Sequence, residues 1–205
     1  MGGMKRKIRC GGKPMTAIIL AGGRGRRMRA DKAALAVGKR TLLEHVLAQV
    51  EPYFDEVLIS ISPGQALPPL IASLVRVVED ERPDLGPIGG LLAGLRAARN
   101  DACQVVACDI PEIPSSLLRS LARAARDAEI AVPVDPAGRY EPLLAVYKKS
   151  VFDAIEALLG RRERSLLPLY QGCRTAVVRL DEKRRLRNLN TRADYESYLR
   201  SIKDE

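Results

Sequence analysis

The residue types in this chain that are suited to phosphate chemistry come in two forms: a glycine- and arginine-rich run, and single aspartates that end apolar segments. The run LAGGRGRRM (20–28) places small residues where backbone amides can approach an anion, and it carries Arg24, Arg26 and Arg27, with Arg29 just beyond. Phosphate is the natural guest of such a loop. The segment lacks the GxxxxGK[ST] spacing of a P-loop, and Met28 stands where a dinucleotide fingerprint needs its third glycine. Lys32, on the far side of the run, is a flexible cation able to neutralise an α-phosphate as charge builds in a transition state. Lys32, Arg27 and Asp109 are the candidate catalytic set.

Asp109 closes the apolar run QVVACD (104–109) and is followed by Ile110-Pro111, which stops strand pairing and leaves the carboxylate at a rim. A hard oxygen ligand there suits Mg²⁺, which needs only one or two protein carboxylates when a triphosphate completes its shell; a carboxylate capping the next turn is the plainer alternative. Asp80 ends VRVVED (75–80) and is read as an acceptor for a base or ribose, or else as a loop cap. Gly89, Gly90 and Gly94 open a helical segment despite a cost of about 1 kcal/mol each. Such glycines mean close approach either to a flat ligand or to a neighbouring element. His45 lies within an amphipathic segment and reads as structural.

These residues must be held by alternating elements. TAIILA (16–21), DEVLISIS (55–62), VRVVED and QVVACD read as strands, and EIAVPV, EPLLAVYK and TAVVRL follow later. Helical spacing appears over 40–50, around Leu70, over 88–99, from Ser115 as N-cap through Ala125, near 151–159 and 164–170, and from Arg192. The pattern predicts an α/β fold: a single doubly wound domain over 15–205, with a mostly parallel sheet covered by helices on both faces. In such sheets ligands lie outside the carboxyl ends of the strands, which is where the run, Asp80 and Asp109 would gather.

Composition narrows the function class. With 34 Lys and Arg against 25 Asp and Glu the formal charge is +9, which favours anionic ligands. Five of those cations, Lys5, Arg6, Lys7, Arg9 and Lys13, lie in residues 1–14 with no acid among them, leaving a body of +4. Residues 1–14 are therefore expected to be a basic disordered tail or an upstream extension, with Met15 as the functional start. No apolar run is long enough to cross a bilayer, and a cytoplasmic, reduced setting is expected for Cys10, Cys103, Cys108 and Cys173, which have no metal-binding spacing. A basic nucleic-acid-binding module is disfavoured, because the six Tyr and two Phe form no interleaved stacking set.

With these residues in view, the chain resembles the molybdenum cofactor guanylyltransferases, a branch of the nucleotidyltransferases with a Rossmann-like fold. The resemblance is carried by LAGGRGRRMRADKAAL, VGKRTLLEHV, VVEDERPDLGPIGGL, ACDIPEIP, YEPLLAVY and NLNTRADYESYL, in the family's order. It implies backbone contacts to the nucleotide from the loop at Leu20, Ala21, Gly22 and Gly23, a phosphate-binding role for Lys32, a nucleotide-contacting Asp80 and a Mg²⁺-binding Asp109. Asn188 and Asn190 match a C-terminal pair associated with the pterin side. The implied reaction is attack by the terminal phosphate of metal-loaded molybdopterin, carrying molybdenum or tungsten, on the α-phosphorus of GTP, with release of pyrophosphate. The implied protein partner is one that delivers the pterin or accepts the product; neither nucleic acid nor membrane is expected. Two departures stand out. Ser60-Ile61-Ser62 replaces an Asn-containing segment after the second strand, which keeps CTP, or another small phosphate acceptor, as an alternative. Glu141-Pro142 replaces the usual His-Pro.

Overall fold

The computed structural model describes residues 5–22, 32–82, 85–181 and 186–202; the side chains at 32, 69, 70 and 74 fall outside the described set. In chain order the elements are β1 (Thr16–Leu20), a small hairpin of β2 (Ala36–Val37) and β3 (Arg40–Thr41), α1 (Leu42–Val50), β4 (Glu56–Ile61), α2 (Pro69–Leu74), β5 (Arg76–Glu79), α3 (Pro87–Ala97), β6 (Ala102–Ala107), α4 (Ser115–Ala124), β7 (Ile130–Val134), β8 (Val146–Lys148), α5 (Phe152–Gly160), α6 (Leu167–Gly172), β9 (Thr175–Arg179) and α7 (Arg192–Ser201).

Seven strands form one sheet in the order β5-β4-β1-β6-β8-β7-β9. β8 alone runs against its neighbours, antiparallel to both β6 and β7, while the other pairings are parallel. The expected doubly wound, mostly parallel sheet is therefore present. β1 is buried at all five positions because both faces are covered. Its Ala17 and Ile19 join a core with Leu43 and Val46 of α1 and with Leu117 and Leu121 of α4. Its Ile18 and Leu20 face the other way, toward Leu91 and Leu95 of α3 and Ile155 of α5. A third, smaller cluster of Val37, Leu42, Leu189 and Tyr198 ties the C-terminal helix to the hairpin.

Local chemistry sets the boundaries. Thr41 caps α1 with a capping box, accepting from the Glu44 amide while the Glu44 carboxylate accepts from the Thr41 amide. Thr191 and Asp194 repeat the device at α7. The N-cap of α4 is Pro114 with no side-chain bond, so Ser115 is the first helical residue rather than the cap. Pro133 stands inside β7, which a donor-less residue tolerates because the β7–β8 pairing reaches only Ile130 and Ala131.

The described part of the N-terminal segment is anchored to the domain at two apolar side chains. Residues 5–14 are packed on the domain: Ile8 is 2% exposed, its amide donates to the Tyr53 carbonyl (2.8 Å), and Lys7 Nζ reaches the Phe54 carbonyl. Arg9 pairs with Asp55, and Cys10 and Lys13 exchange main-chain hydrogen bonds across a Gly11-Gly12 turn. The abundance of charge hid two apolar side chains, Ile8 and Cys10, that join the core.

Candidate active site

Strand order reverses between β1 and β6. Chain connections run from β1 outward to β4 and β5, then return to the far side of β1, opening a crevice at the carboxyl ends of these two strands. Leu20, Ala21 and Gly22 lie on one lip and Asp109 on the other. The Cys108 amide donates to the Leu20 carbonyl (3.1 Å), so the two loops leave the sheet side by side.

The described start of the glycine run is already committed to the fold. The amides of Ala21 and Gly22 both donate to the Ser60 carbonyl (2.8 and 3.0 Å), and the Ala21 carbonyl receives Gln65 Nε2 (3.1 Å). A Cβ on Gly22 would stand 2.9 Å from the Ser62 nitrogen, so that position has room only for glycine against the segment after β4. The Ala21 and Gly22 amides are therefore already taken up by the fold. Gly23, Arg24, Arg26, Arg27 and Arg29 lie outside the described residues, as does the side chain of Lys32; the Lys32 backbone opens a 3-10 turn over Lys32–Ala34.

Asp109 is half-buried, and its carbonyl accepts the Leu189 amide (2.8 Å), which draws the Asn188-Leu189-Asn190 segment onto the crevice. Asn188 Nδ2 donates to Glu141 Oε2 (2.9 Å), while its Oδ1 is buried without a hydrogen-bond partner among the described residues. Burial pushes the Glu141 carboxyl above its ordinary value; the Asn188 bond opposes this and the nearby Asp109 charge adds to it. Asp109, Glu141 and Asn188 thus form one cluster of oxygen-bearing groups. Asn190 diverges from it: it is exposed at the start of α7, with its amide 3.1 Å from Asp194 Oδ2.

The loop after Asp109 is held by residues that sequence reading left in a structural role or did not single out. His45 Nε2 approaches both the Pro111 carbonyl (3.0 Å) and Tyr198 Oη (3.1 Å). Gln49, one turn along α1, donates to the same carbonyl (2.7 Å) and accepts from the Ile113 amide (3.0 Å). Only their i, i+4 spacing on α1 hinted that they act together.

Asp80 ends β5, three strands from β6, so it and Asp109 lie roughly 14 Å apart along the strand-end row at normal inter-strand spacing. It is 6% exposed, and its Oδ1 accepts the Arg82 amide (2.8 Å), making it a turn cap. Burial raises its pKa, with the Arg82 bond and charge opposing. Asp80 borders a pocket of about 180 Å³ with Arg82, Leu92, Arg96 and Glu156. The α3 glycines serve packing rather than a flat ligand. A Cβ on Gly89 would meet both Asp80 carboxylate oxygens at 2.5 Å, one on Gly90 would meet Ser60 Oγ at 2.9 Å, and one on Gly94 would meet Ile18 Cγ2 at 2.5 Å.

A cleft at a switch point, with Asp109 on one lip and the Leu20–Gly22 start of the glycine run on the other, is an arrangement suited to a nucleotide. Residues 17–182 match the MobA-like NTP transferase domain. The chain belongs to this nucleotidyltransferase family. A protein of Carboxydothermus hydrogenoformans described as a probable molybdenum cofactor guanylyltransferase is 30% identical over 91% of this chain and 95% of its own length. One of the same description from Mycobacterium tuberculosis is 36% identical over 88% and 90%. Among solved structures, the molybdopterin-guanine dinucleotide biosynthesis protein A of Archaeoglobus fulgidus superposes with a TM-score of 0.78 at 22% identity, covering 93% of this chain and 100% of that one. A Mycobacterium tuberculosis protein solved with manganese gives 0.67 at 20%, covering 92% and 100%. At those identities the structures attest the fold. Like other members of the family, this chain is a nucleotidyltransferase, and no described helix is long and apolar enough to cross a membrane.

Proposed function

We propose that the enzyme transfers GMP from GTP to the terminal phosphate of a metal-loaded molybdopterin, releasing pyrophosphate. A terminal phosphate oxygen of the acceptor attacks the α-phosphorus, a new P–O bond forms, and the bond to the β-phosphate oxygen breaks. The electron pair leaves with pyrophosphate. One observation supports this reading: the Leu189 amide donates to the Asp109 main-chain carbonyl, which brings the Asn188–Asn190 segment proposed for the acceptor beside the aspartate proposed for the metal.

The residues present fit Mg²⁺. Among the described residues no group of three or more His, Cys, Asp or Glu can hold a metal alone, which suits an ion whose shell is completed by phosphate oxygens. Asp109 would hold it, and the partnerless Asn188 Oδ1 supplies a second hard oxygen in the same cluster. When bound, the ion offsets charge on the phosphates. Lys32 and Arg27 neutralise the α-phosphate and the leaving group, the loop at Leu20, Ala21, Gly22 and Gly23 lines the nucleotide, Asp80 receives the base or ribose, and Asn188, with Asn190 further along the same segment, serves the pterin side. The setting that fits this role is cytoplasmic, with a protein that supplies the pterin or takes up the product.

GTP is preferred over CTP mainly on the resemblance to the guanylyltransferases; in keeping with it, guanine presents two adjacent donors, N1–H and the exocyclic amine, to acceptors such as the Asp80 carboxylate, whereas cytosine presents an acceptor beside its amine. A mismatched edge costs up to about ten-thousandfold in discrimination. The test offers each of the four nucleoside triphosphates with Mg²⁺ and measures pyrophosphate release with and without molybdopterin. GTP- and pterin-dependent release is expected. Equal turnover with CTP overturns the base assignment, and release indifferent to molybdopterin overturns the acceptor.

A further inference from the structure

The strongly charged region that the crevice does not use lies at the opposite end of the sheet. There the Cys10–Lys13 hairpin faces α4 across a groove of about 550 Å³, lined by Arg9, Arg119, Arg123 and Arg126 together with Gly11 and Gly12, over the apolar Ile8. No carboxylate lines this groove among the described residues. The helix dipole favours a cation in the last turn of α4, which accounts for Arg123 but not for Arg9 on a separate segment. Arg123 is exposed and has no partner among the described residues. Arg126 pairs with Asp127 and Arg9 with Asp55, but both are surface pairs of small worth, and each guanidinium keeps further N–H groups. Arg119 lies over the Tyr53 ring with one nitrogen donating to the Arg6 carbonyl, which fixes its direction. Gly11 and Gly12 both take positive φ (56° and 80°), the geometry of a two-residue hairpin turn, and their amides have no acceptor among the described residues.

From these observations we infer that the groove between the hairpin and α4 is a binding site for an oligophosphate group, distinct from the crevice. Guanidinium forks match phosphate oxygens in pairs, and four of them around one space the size of a small-ligand pocket favour an anion of several charges over a single one. The crevice is a strand length away, roughly 20 Å. Nucleic acid fits less well, because the aromatic ring at the groove, Tyr53, is already covered by Lys5 and Arg119.

The group can come from free oligophosphate, such as the pyrophosphate of the proposed reaction, or from a nucleotide. Titration calorimetry on the full chain in magnesium-free buffer, with tripolyphosphate and with GTP as separate ligands, tells them apart. Tripolyphosphate is expected to fill two sites in the wild type, of which the groove site weakens tenfold or more in Arg123→Ala/Arg126→Ala. Both replaced side chains are exposed, and nucleotidyl transfer in this variant is expected to stay within twofold of wild type. A second GTP equivalent that the variant loses assigns the groove to nucleotides; a single equivalent in both proteins assigns it to free oligophosphate. Unchanged tripolyphosphate binding in the variant overturns the site. So does binding of an octaglutamate peptide to the groove in a wild-type chain that ignores tripolyphosphate there.

Discussion

Asp109 and Asp80 are both strand-end carboxylates, yet their surroundings set them different tasks. Asp109 is half-buried beside Glu141 and the open carbonyl oxygen of Asn188, so Asp109→Asn is expected to fold normally and to lose a thousandfold or more in turnover. Near-normal rates in that variant would remove the metal role. Asp80 is buried under Gly89, and its pKa is raised. An acid whose native pKa lies above its unfolded value holds its proton more tightly in the fold, so its contribution to stability is present below pH 3.8 and is lost as pH rises through the raised native value. Asp80→Asn removes the charge, so it should stabilise the protein at pH 7 and leave it unchanged near pH 3, while weakening nucleotide binding. Denaturant melts at the two pH values, with nucleotide titration alongside, check this; equal effects at both pH values would refute the linkage. For Lys32→Ala the expected loss is larger in kcat than in nucleotide affinity, because its charge is most useful as the transition state forms. Equal losses would reduce it to a ground-state contact. The aspartates were legible because each ends an apolar run. Glu141 stood out only as a departure from the resembling family's His, since its partner Asn188 lies 47 positions away.

At the scale of elements, the alternation of apolar runs foretold the strands and their common direction, because covered faces on both sides leave an unbroken apolar signature. What it missed follows from partners distant in the chain. The antiparallel β8 returns from β7 through the turn at Asp135–Arg139, but its insertion in the sheet depends on pairing with Ala102–Gln104, which no local pattern encodes. The glycines of α3 looked equally suited to ligand or sheet until Ile18, Ser60 and Asp80 appeared beneath them. Gly94→Ala is expected to destabilise by about 1–3 kcal/mol, the cost of overpacking against the β-branched Ile18, without changing the KM for nucleotide. Thermal unfolding and steady-state kinetics on the same preparation separate the two effects, and a raised KM with unchanged stability would return α3 to the ligand.

For the whole molecule, the described part of the N-terminal segment is held to the domain by Ile8 and Cys10. Its removal should leave nucleotidyl transfer intact, since the catalytic clusters begin at Leu20. Stability should nevertheless fall by roughly 3 kcal/mol from the lost burial of Ile8 and Cys10 and the uncovering of Met15 and Phe54. An equally stable truncated chain would show that the packing is incidental. The sheet, finally, has a seam. Among the described residues β7 and β9 join the remaining strands through the short β8, Val146–Lys148, with single flanking bonds at Ala145 and Lys149. Native-state amide exchange should accordingly resolve two cooperative units, the β7–β9 edge opening at a lower free energy than the β4-β1-β6 centre. Glu141 lies on the connection between β7 and β8, so such an opening would loosen the Glu141 side of the crevice while the Leu20–Gly22 side stays closed.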